Sequence, residues 1–152
     1  MLGQKWFWAI RFFFSQFILF SNLQSTISVL SFVLFSKGLG HSNDLGDQPN
    51  ELGDYLPSVQ LPTGIEIFYF GTGYQFSGIV TSSSQNLFLW GNNDEAQLGI
   101  ENIVDVGDLP NQMGDYLKQT RVGSGRSVVQ IQGGRDHSVC KIHLEALYLF
   151  FF

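Results

Sequence analysis

The tetrapeptide GDYL occurs twice in this chain of 152 residues, at residues 53–56 within PNELGDYLP and at residues 114–117 within PNQMGDYLK. The two copies lie 61 residues apart, and the residues on either side of them match as well. Self-similarity at a fixed spacing is typical of repeat architectures. The spacing therefore predicts a structural unit that is present twice.

The repeat continues without a gap from residue 38 to residue 80 of the first copy. About a third of these positions are identical to the residue 61 places later, and others stay apolar, as Leu61 and Val122 do. The identical pairs include Gly38 with Gly99, Asp44 with Asp105, Gly46 with Gly107, Asp47 with Asp108, Pro49 with Pro110, Asn50 with Asn111, Gly64 with Gly125, Gly73 with Gly134 and Ser77 with Ser138. We place two copies of one unit within residues 38–142.

Each copy has the pattern of short β-strands joined by polar connections. The runs IEIFYF and SVVQI are rich in β-branched and aromatic residues, SGIVT and NLFLW are two further short runs, and Gly, Ser or Asn clusters separate them. The stretch SSSQN, residues 82–86, favours a hairpin connection. We expect strands over residues 76–81 and 87–90 to pair antiparallel.

Residues 38–142 resemble the repeat of the regulator of chromosome condensation family. That repeat carries a Trp-Gly pair, then Gly-Gln-Leu-Gly, and a Gly-x-x-His-Ser element. The matching residues here are Trp90 and Gly91, then Gln97, Leu98 and Gly99, then Gly134, His137 and Ser138 in GRDHSVC; the other copy keeps Gly73 and Ser77. Two positions depart from the pattern, since Ala96 stands where the family has Gly and Phe76 stands where it has His.

The resemblance implies a β-propeller, in which blades of four antiparallel strands stand around a central axis. Two repeats are fewer than the seven blades typical of the family, so we expect an all-β partial propeller of two four-stranded blades, a fragment or part of a larger assembly. One small sheet cannot bury both of its faces alone, which explains why the unit is repeated. In this interpretation the signature residues are structural. Trp90 and Phe76 are core or blade-interface residues, and His137 is a core or turn residue whose ring satisfies backbone groups.

Three interpretations of residues 1–37 stay open, and in all of them this segment is an apolar N-terminal extension outside the repeats. It contains three basic residues, no acidic residue and many Phe. An apolar core after a basic start is typical of a secretory signal, but Arg11 interrupts it and no A-x-A site follows. Residues 6–35 could instead anchor the chain in a membrane, although the polar run SNLQST crosses them. The third interpretation is a segment that is not native to the fold.

Residues 143–152 are an apolar tail in which the expected strand and Trp-Gly pair are replaced.

The composition excludes several classes of function. A net charge of −5 and a pI near 4.9 argue against a broad nucleic-acid surface. Cys140 is the single cysteine, so no internal disulfide forms, and we expect it to be a small buried residue. The repeated acids Asp44, Asp47, Glu51, Asp54, Asp105, Asp108 and Asp115 lack the spacing of a known calcium loop. We predict no catalytic residue, no metal and no cofactor.

The sequence favours a non-enzymatic protein-interaction module, because repeat scaffolds present variable loops on a shared framework. The resemblance offers an alternative, a regulator of a small GTPase of the guanine-nucleotide exchange type. A membrane-anchored protein with appended repeats is the third hypothesis. The protein partner is not identified by the residues. We expect an intracellular location, or a membrane-associated one if residues 6–35 form an anchor.

Overall fold

The computed structural model describes residues 38–43, 45, 47–51, 53–55, 57–143 and 148–151. These residues form two antiparallel sheets with only short 3₁₀ turns beside them, so the all-β prediction is confirmed. The architecture is that of a partial β-propeller. The signal, anchor and non-native interpretations of residues 1–37 all lie outside the described residues. Within the described part of the chain, no helix has the length and apolar character needed to span a bilayer.

The first sheet contains β1 (Ile67–Thr72), β2 (Phe76–Thr81) and β3 (Leu87–Gly91) in that order. The predicted hairpin joins β2 to β3 and pairs them antiparallel. Its turn is closed by hydrogen bonds between the Thr81 N–H and the Asn86 carbonyl, at 3.0 Å, and between the Asn86 N–H and the Thr81 hydroxyl, also at 3.0 Å. The hairpin prediction is therefore confirmed.

The second sheet repeats the first one 61 residues later. It contains β4 (Val128–Gly133), β5 (Ser138–Ile142) and β6 (Tyr148–Phe151), again in sequence order and antiparallel. Even the irregularity is duplicated, since β1 shifts register between Ile67 and Tyr69 and β4 shifts between Val128 and Gln130. We call residues 38–98 the first repeat and residues from 99 onward the second repeat.

The position of β6 corrects one sequence-based expectation. Residues 143–152 were expected to be a tail that replaces the third strand, yet Tyr148–Phe151 pairs with β5 as β3 pairs with β2. The strand survives without its Trp-Gly pair because antiparallel pairing uses backbone groups, and aromatic residues fit a pleated strand well.

The fourth strand expected for each blade is reduced to two isolated bridges in the first repeat. Each described sheet has three strands. Beside β3, Gly91 bridges Val106 and Leu87 bridges Thr120, at the two ends of the strand. Residues 107–119 leave the sheet between these bridges, so a continuous fourth strand does not form there.

The two sheets pack face to face and form the main core. The apolar residues buried between them are Phe76, Val80, Leu87 and Leu89 from the first sheet, Leu98 and Val122 from the connection, and Val128, Ile131, Cys140 and Ile142 from the second sheet. Cys140 is fully buried, as predicted. Neither sheet could bury these side chains alone, so the repeats depend on each other.

The opposite face of the first sheet is also covered. Side chains alternate along a strand, so Leu87 and Leu89 point to the second sheet while Phe88 and Trp90 point away from it. Phe88, Trp90, Ile79 and Leu117 form a second core cluster, against which residues 59–70 contribute half-buried apolar side chains. As a result β3 is buried along its whole length.

Close approach of the sheets requires glycine at one position. A Cβ on Gly71 would overlap the carbonyl oxygen of Ile131 in the facing strand. The position 61 residues later is Gln132, which is exposed. Gly71 therefore marks where the two backbones come into direct contact.

We predict that Gly71→Ala destabilises the protein by about 1–3 kcal/mol, the usual cost of inserting a methyl group into a filled core. The matched control is Gln132→Ala, which changes an exposed residue at the equivalent position and should stay within about 0.5 kcal/mol. Urea unfolding of the full chain measures both. Equal stability of the two variants would show that the sheets do not pack in this register.

Candidate functional site

The connection after β3 forms a compact loop, residues 91–106, which we call the signature loop. Gly91 and Val106 close it by exchanging two backbone hydrogen bonds of 2.8 and 3.0 Å. Gly91 has a φ of +121°, and a Cβ there would overlap the backbone of Gln75. The Trp-Gly pair thus joins a core side chain to a position that only glycine fits.

Asn93 organises the interior of the signature loop. Its side chain is fully buried, its amide donates to the carbonyls of Asn102 (2.7 Å) and Val104 (3.1 Å), and its oxygen accepts from the N–H of Leu98 at 2.9 Å. Its own N–H donates to the Asp105 carboxylate at 2.7 Å. Buried polar groups satisfied in this way hold a loop in one conformation.

Gln97 plays a similar part nearer the start of the loop. It is 1% exposed, accepts from the N–H of Glu95 at 2.9 Å and donates to the Asn92 side chain at 2.7 Å. Leu98, the next signature residue, is fully buried in the core between the sheets. Gly99 ends the turn with a φ of +60°.

Ala96 occupies a backbone conformation that favours glycine. Its φ is +60°, its N–H donates to the Asn93 carbonyl, and its carbonyl accepts from the N–H of Gly99. This geometry explains why the resembled repeat has Gly here, because a Cβ in the left-handed region is strained.

Trp90 anchors the first repeat on the face opposite the second sheet. It is 2% exposed within the second core cluster. Gly38 lies directly against its indole ring, and a Cβ there would come within 2.7 Å of the ring nitrogen. Of the two positions predicted for Trp90, core or blade interface, the structure shows it in a core cluster.

The signature loop is linked to the second repeat by Ser138. Its buried hydroxyl donates to the backbone carbonyl of Gln97 at 2.6 Å. The Gln-Leu-Gly element of one repeat and the His-Ser element of the next therefore meet across the sheet interface. Ser77, at the equivalent position of the first repeat, is half-buried and lies in register with Trp90.

Phe76 and His137 occupy equivalent positions with opposite exposure. Each ring lies over a glycine of its own repeat, Phe76 over Gly73 and His137 over Gly134. Phe76 is 3% exposed, and Gly133 of the second repeat lies against its ring. His137 is exposed in the turn between β4 and β5, so of its two predicted positions, core or turn, the structure shows the turn. No described residue covers its outer side in the way that the second repeat covers Phe76.

The second insertion, residues 107–117, is held by one side chain. The carbonyl oxygen of the Gln112 side chain accepts from the N–H groups of Gly107, Asp108 and Leu109 at 2.7–3.1 Å. In the first insertion, residues 46–57, the Glu51 carboxylate accepts from the N–H groups of Asp47 and Gln48 at 3.1 and 3.0 Å. Glu51 and Gln112 are 61 residues apart, so both repeats use the same device.

Asp115 fastens the second insertion to the first repeat. It follows Gly114, whose φ of +66° begins the 3₁₀ turn Gly114–Tyr116. Its carboxylate accepts from the Thr63 N–H at 2.6 Å and from the Thr63 hydroxyl at 3.1 Å. The backbone hydrogen bond and then the hydroxyl hydrogen bond hold the pKa of Asp115 below its ordinary value of 3.8.

These contacts explain acids that the sequence left without a role. Asp105, Glu51 and Asp115 each accept hydrogen bonds from backbone N–H groups of loops. Among the residues that the structure describes, no three His, Cys, Asp or Glu side chains are grouped to hold a metal ion. The sequence analysis did not predict the roles of Asn93 and Gln112 in holding the loops. For Asp115 a signal was available, since Asp recurs in both GDYL copies.

We predict that Ala96→Gly stabilises the protein by about 0.5–1 kcal/mol, because relief of left-handed strain exceeds the entropy that glycine adds to the unfolded chain. Gly99→Ala, at a similar φ of +60° in the same loop, should destabilise it by about 1 kcal/mol or more. Thermal unfolding of the two full-length variants tests the pair. A loss of stability in Ala96→Gly would contradict the loop geometry.

We predict that the stabilisation by Asp115 depends on pH. A carboxyl whose pKa is lowered on folding stabilises the protein above the pKa of the unfolded chain, and this contribution disappears as the pH falls through 3.8 and below. The difference in unfolding free energy between the wild type and Asp115→Asn should therefore shrink between pH 6 and pH 3. The control variant Thr63→Ser keeps both hydrogen-bond donors and should preserve the pH dependence of the unfolding free energy. A difference between the wild type and Asp115→Asn that does not change with pH would contradict the prediction.

Comparison with known proteins identifies the repeat. Residues 85–140 match the family model of the regulator of chromosome condensation (RCC1) repeat. No curated protein sequence matches the chain significantly. The crystal structure of human WBSCR16 aligns with a TM-score of 0.43 and 19% identity over 56% of this chain, which spans about a fifth (21%) of that one. The matched segment includes the signature loop, the second insertion, strand β4 and most of β5, and it is similar to an RCC1 repeat, as the resemblance predicted.

Proposed function

We propose that this chain is a non-enzymatic protein-interaction module that binds its partner through the signature loop and the second insertion. The observation that carries the proposal is a group of apolar side chains held outward on this segment. Ile103, Val104, Leu109 and Tyr116 are 66%, 60%, 56% and 65% exposed. Exposed apolar side chains grouped on one segment are typical of interaction surfaces.

The backbone that carries these side chains is fixed by hydrogen bonds. The Asn93 side chain donates to the carbonyls of the residues on both sides of Ile103. The Gln112 side chain accepts from the N–H of Leu109. Tyr116 follows Asp115, whose carboxylate accepts from the N–H of Thr63. A preorganised loop loses little conformational entropy on binding. Rigid presentation of Leu and Tyr side chains therefore supports recognition rather than a structural role.

The charge of the two insertions points to the chemistry of the partner. Residues 46–57 and 107–117 contain five acidic residues, Asp47, Glu51, Asp54, Asp108 and Asp115, and no Lys or Arg. Apolar contacts beside negative charge complement a segment that carries both apolar and basic residues. We infer that the partner presents such a segment. Nucleotide exchange on a small GTPase stays a prediction of the resemblance, because no contact among the described residues favours it over simple binding.

The test uses the labelled full chain and an array of 15-residue peptides in two sets with equal apolar content, one with Arg and Lys and one with Asp and Glu. We expect selective binding to the basic set that weakens with added salt. Tyr116→Ala and Leu109→Ala should each reduce the affinity about tenfold or more, as interface anchors do.

The control variant is Tyr74→Ala, since Tyr74 is also exposed (56%) but lies in the β1–β2 turn beside Arg135. It should leave peptide binding unchanged. Equal binding of the acidic set, or equal loss in all three variants, would argue against the proposed surface.

A further inference from the structure

Thr63 lies where the first repeat holds the second insertion. Its N–H and its hydroxyl both donate to the Asp115 carboxylate, at 2.6 and 3.1 Å. Beside them the Gly114 N–H donates to the Gln60 carbonyl at 2.9 Å. These hydrogen bonds join the turn Gly114–Tyr116 to the residues that precede β1. Both donors of Thr63 therefore help to hold this turn against the first repeat.

The hydroxyl of Thr63 is accessible in a segment without regular secondary structure. Residues 57–66 form neither strand nor helix, and they contain a single turn at Thr63 and Gly64. Thr63, Gly64 and Glu66 are all exposed, and a Cβ placed on Gly64 would meet only open space. Exposed irregular segments are the places where enzymes reach both a side chain and its backbone.

The residues after Thr63 give its hydroxyl a charge pattern that is unique in this chain. Glu66 stands at the third position after it, and Thr63 is the only Ser or Thr of the sequence with an acidic residue at that spacing. The exposed Glu66 carboxylate accepts from the Ser82 hydroxyl at 3.1 Å, which fixes its position. An enzyme whose substrate groove carries basic residues is complementary to a hydroxyl followed by such a carboxylate.

Ser124, the equivalent residue of the second repeat, has the opposite electrostatic surroundings. It is exposed and is followed by a glycine of positive φ, as Thr63 is. Its third following residue is Ser127, and Arg121 and Arg126 lie on either side of it in the sequence. The turn has the same glycine conformation in both repeats, whereas the charges differ. The acidic pattern at Thr63 is therefore not a requirement of the turn.

We propose that Thr63 is a phosphorylation site for a protein kinase that selects an acidic residue three places after its acceptor, and that phosphorylation releases the turn Gly114–Tyr116 from the first repeat. The kinase transfers the γ-phosphoryl group of a nucleoside triphosphate to the Thr63 hydroxyl oxygen. A bond forms between this oxygen and the γ-phosphorus, and the bond from the γ-phosphorus to the bridging oxygen breaks. The nucleoside diphosphate leaves, and a base of the kinase takes the hydroxyl proton.

Phosphorylation changes the contact between Thr63 and Asp115 from attraction to repulsion. The modified oxygen has no proton to donate, and the phosphate places a charge of about −1.5 to −2 beside the carboxylate. The pKa of Asp115 lies below its ordinary value of 3.8, so this carboxyl is ionised at neutral pH. Like charges this close move apart, and the turn Gly114–Tyr116 moves with Asp115. Both side chains are exposed, so the two core clusters keep their packing.

The release weakens partner binding, and this consequence alone rests on the function proposed above. Tyr116 is exposed next to Asp115, so its ring loses its fixed position and has to be ordered again on binding, which costs affinity. The added negative charge acts in the opposite direction on a basic partner. Exposed charges are screened at physiological salt and contribute little, however, so the loss of the ordered anchor dominates.

Incubation of the full chain with a purified serine/threonine kinase of this selectivity and a labelled nucleoside triphosphate tests the site. We expect a single phosphate, mapped to Thr63 by mass spectrometry, and labelling of Glu66→Gln that is about tenfold slower or more. Thr63→Ser should be labelled and Thr63→Ala should not. Absence of labelling, labelling at Ser124, or a rate that Glu66→Gln leaves unchanged would overturn the proposal.

Amide hydrogen exchange of the phosphorylated chain measures the release without a partner. The N–H groups of Thr63 and Gly114 should exchange about tenfold faster or more, whereas the Leu98 N–H, which donates to Asn93 in the signature loop, should keep its rate. The matched control is Asp115→Asn, whose amide donates to the phosphate and carries no like charge. Its exchange should not change on phosphorylation. Unchanged exchange in the wild type, or equal acceleration in both proteins, would contradict release by repulsion.

The basic peptide set described above measures the effect on binding. The phosphorylated wild type should bind these peptides about tenfold more weakly, whereas Asp115→Asn should bind them equally before and after phosphorylation. Faster exchange with no peptide binding by either form would refute the proposed function and support the phosphorylation site. Equal or tighter peptide binding by the phosphorylated wild type would overturn the proposed regulation.

Discussion

Face-to-face burial of one sheet against the next is the constraint on which the rest of this structure depends. Each sheet has three strands in the described part of the chain and exposes an apolar face that its own repeat cannot cover. The second repeat supplies the cover, and Gly71 allows the backbones to meet. The hydrogen bonds of Ser138 and Asp115 then fix the register in which the faces meet. Hydrophobic burial drives the association, whereas the polar contacts select one arrangement of it.

The different roles of the sheets and the loops follow from this face-to-face burial. Strand side chains pack against another sheet or a connecting segment on at least one side, so a change in their size would disturb the packing. Apart from side chains that reach the two core clusters, such as Leu98 and Leu117, the signature loop and the second insertion lie outside the stacked sheets. They satisfy backbone groups internally, through Asn93, Gln97 and Gln112. They can therefore carry exposed side chains such as Leu109 and Tyr116 without loss of the framework. In the proposed function, recognition and stability depend on different residues of the same repeat.

The repeat spacing made most of the fold predictable. The hairpin at residues 82–86, the core position of Trp90 and the burial of Cys140 followed from local patterns and from the resemblance. The strand Tyr148–Phe151 did not, because its Trp-Gly pair is missing, although its aromatic residues suit a strand. For His137 the sequence left a core and a turn position open, since the burial of a residue between repeats depends on the neighbouring repeat rather than on the residue itself. The roles of Asp115 and Gln112 depend on contacts with backbone N–H groups; the repeated Asp of GDYL marked the first residue without showing its partner, and no repeated residue marked the second.

The wide sequence separation of the contacts between repeats has a consequence for how the chain folds. Ser138 reaches Gln97 across 41 positions, Asp115 reaches Thr63 across 52, and Gln130 reaches Tyr69 across 61. Non-local contacts of this kind require loop closure before they return any stabilisation, which slows folding. During synthesis the first sheet leaves the ribosome before the residues that cover Phe76 exist. Its apolar face is then open until about 50 further residues have been added, which makes this interval the period of greatest risk of misassembly.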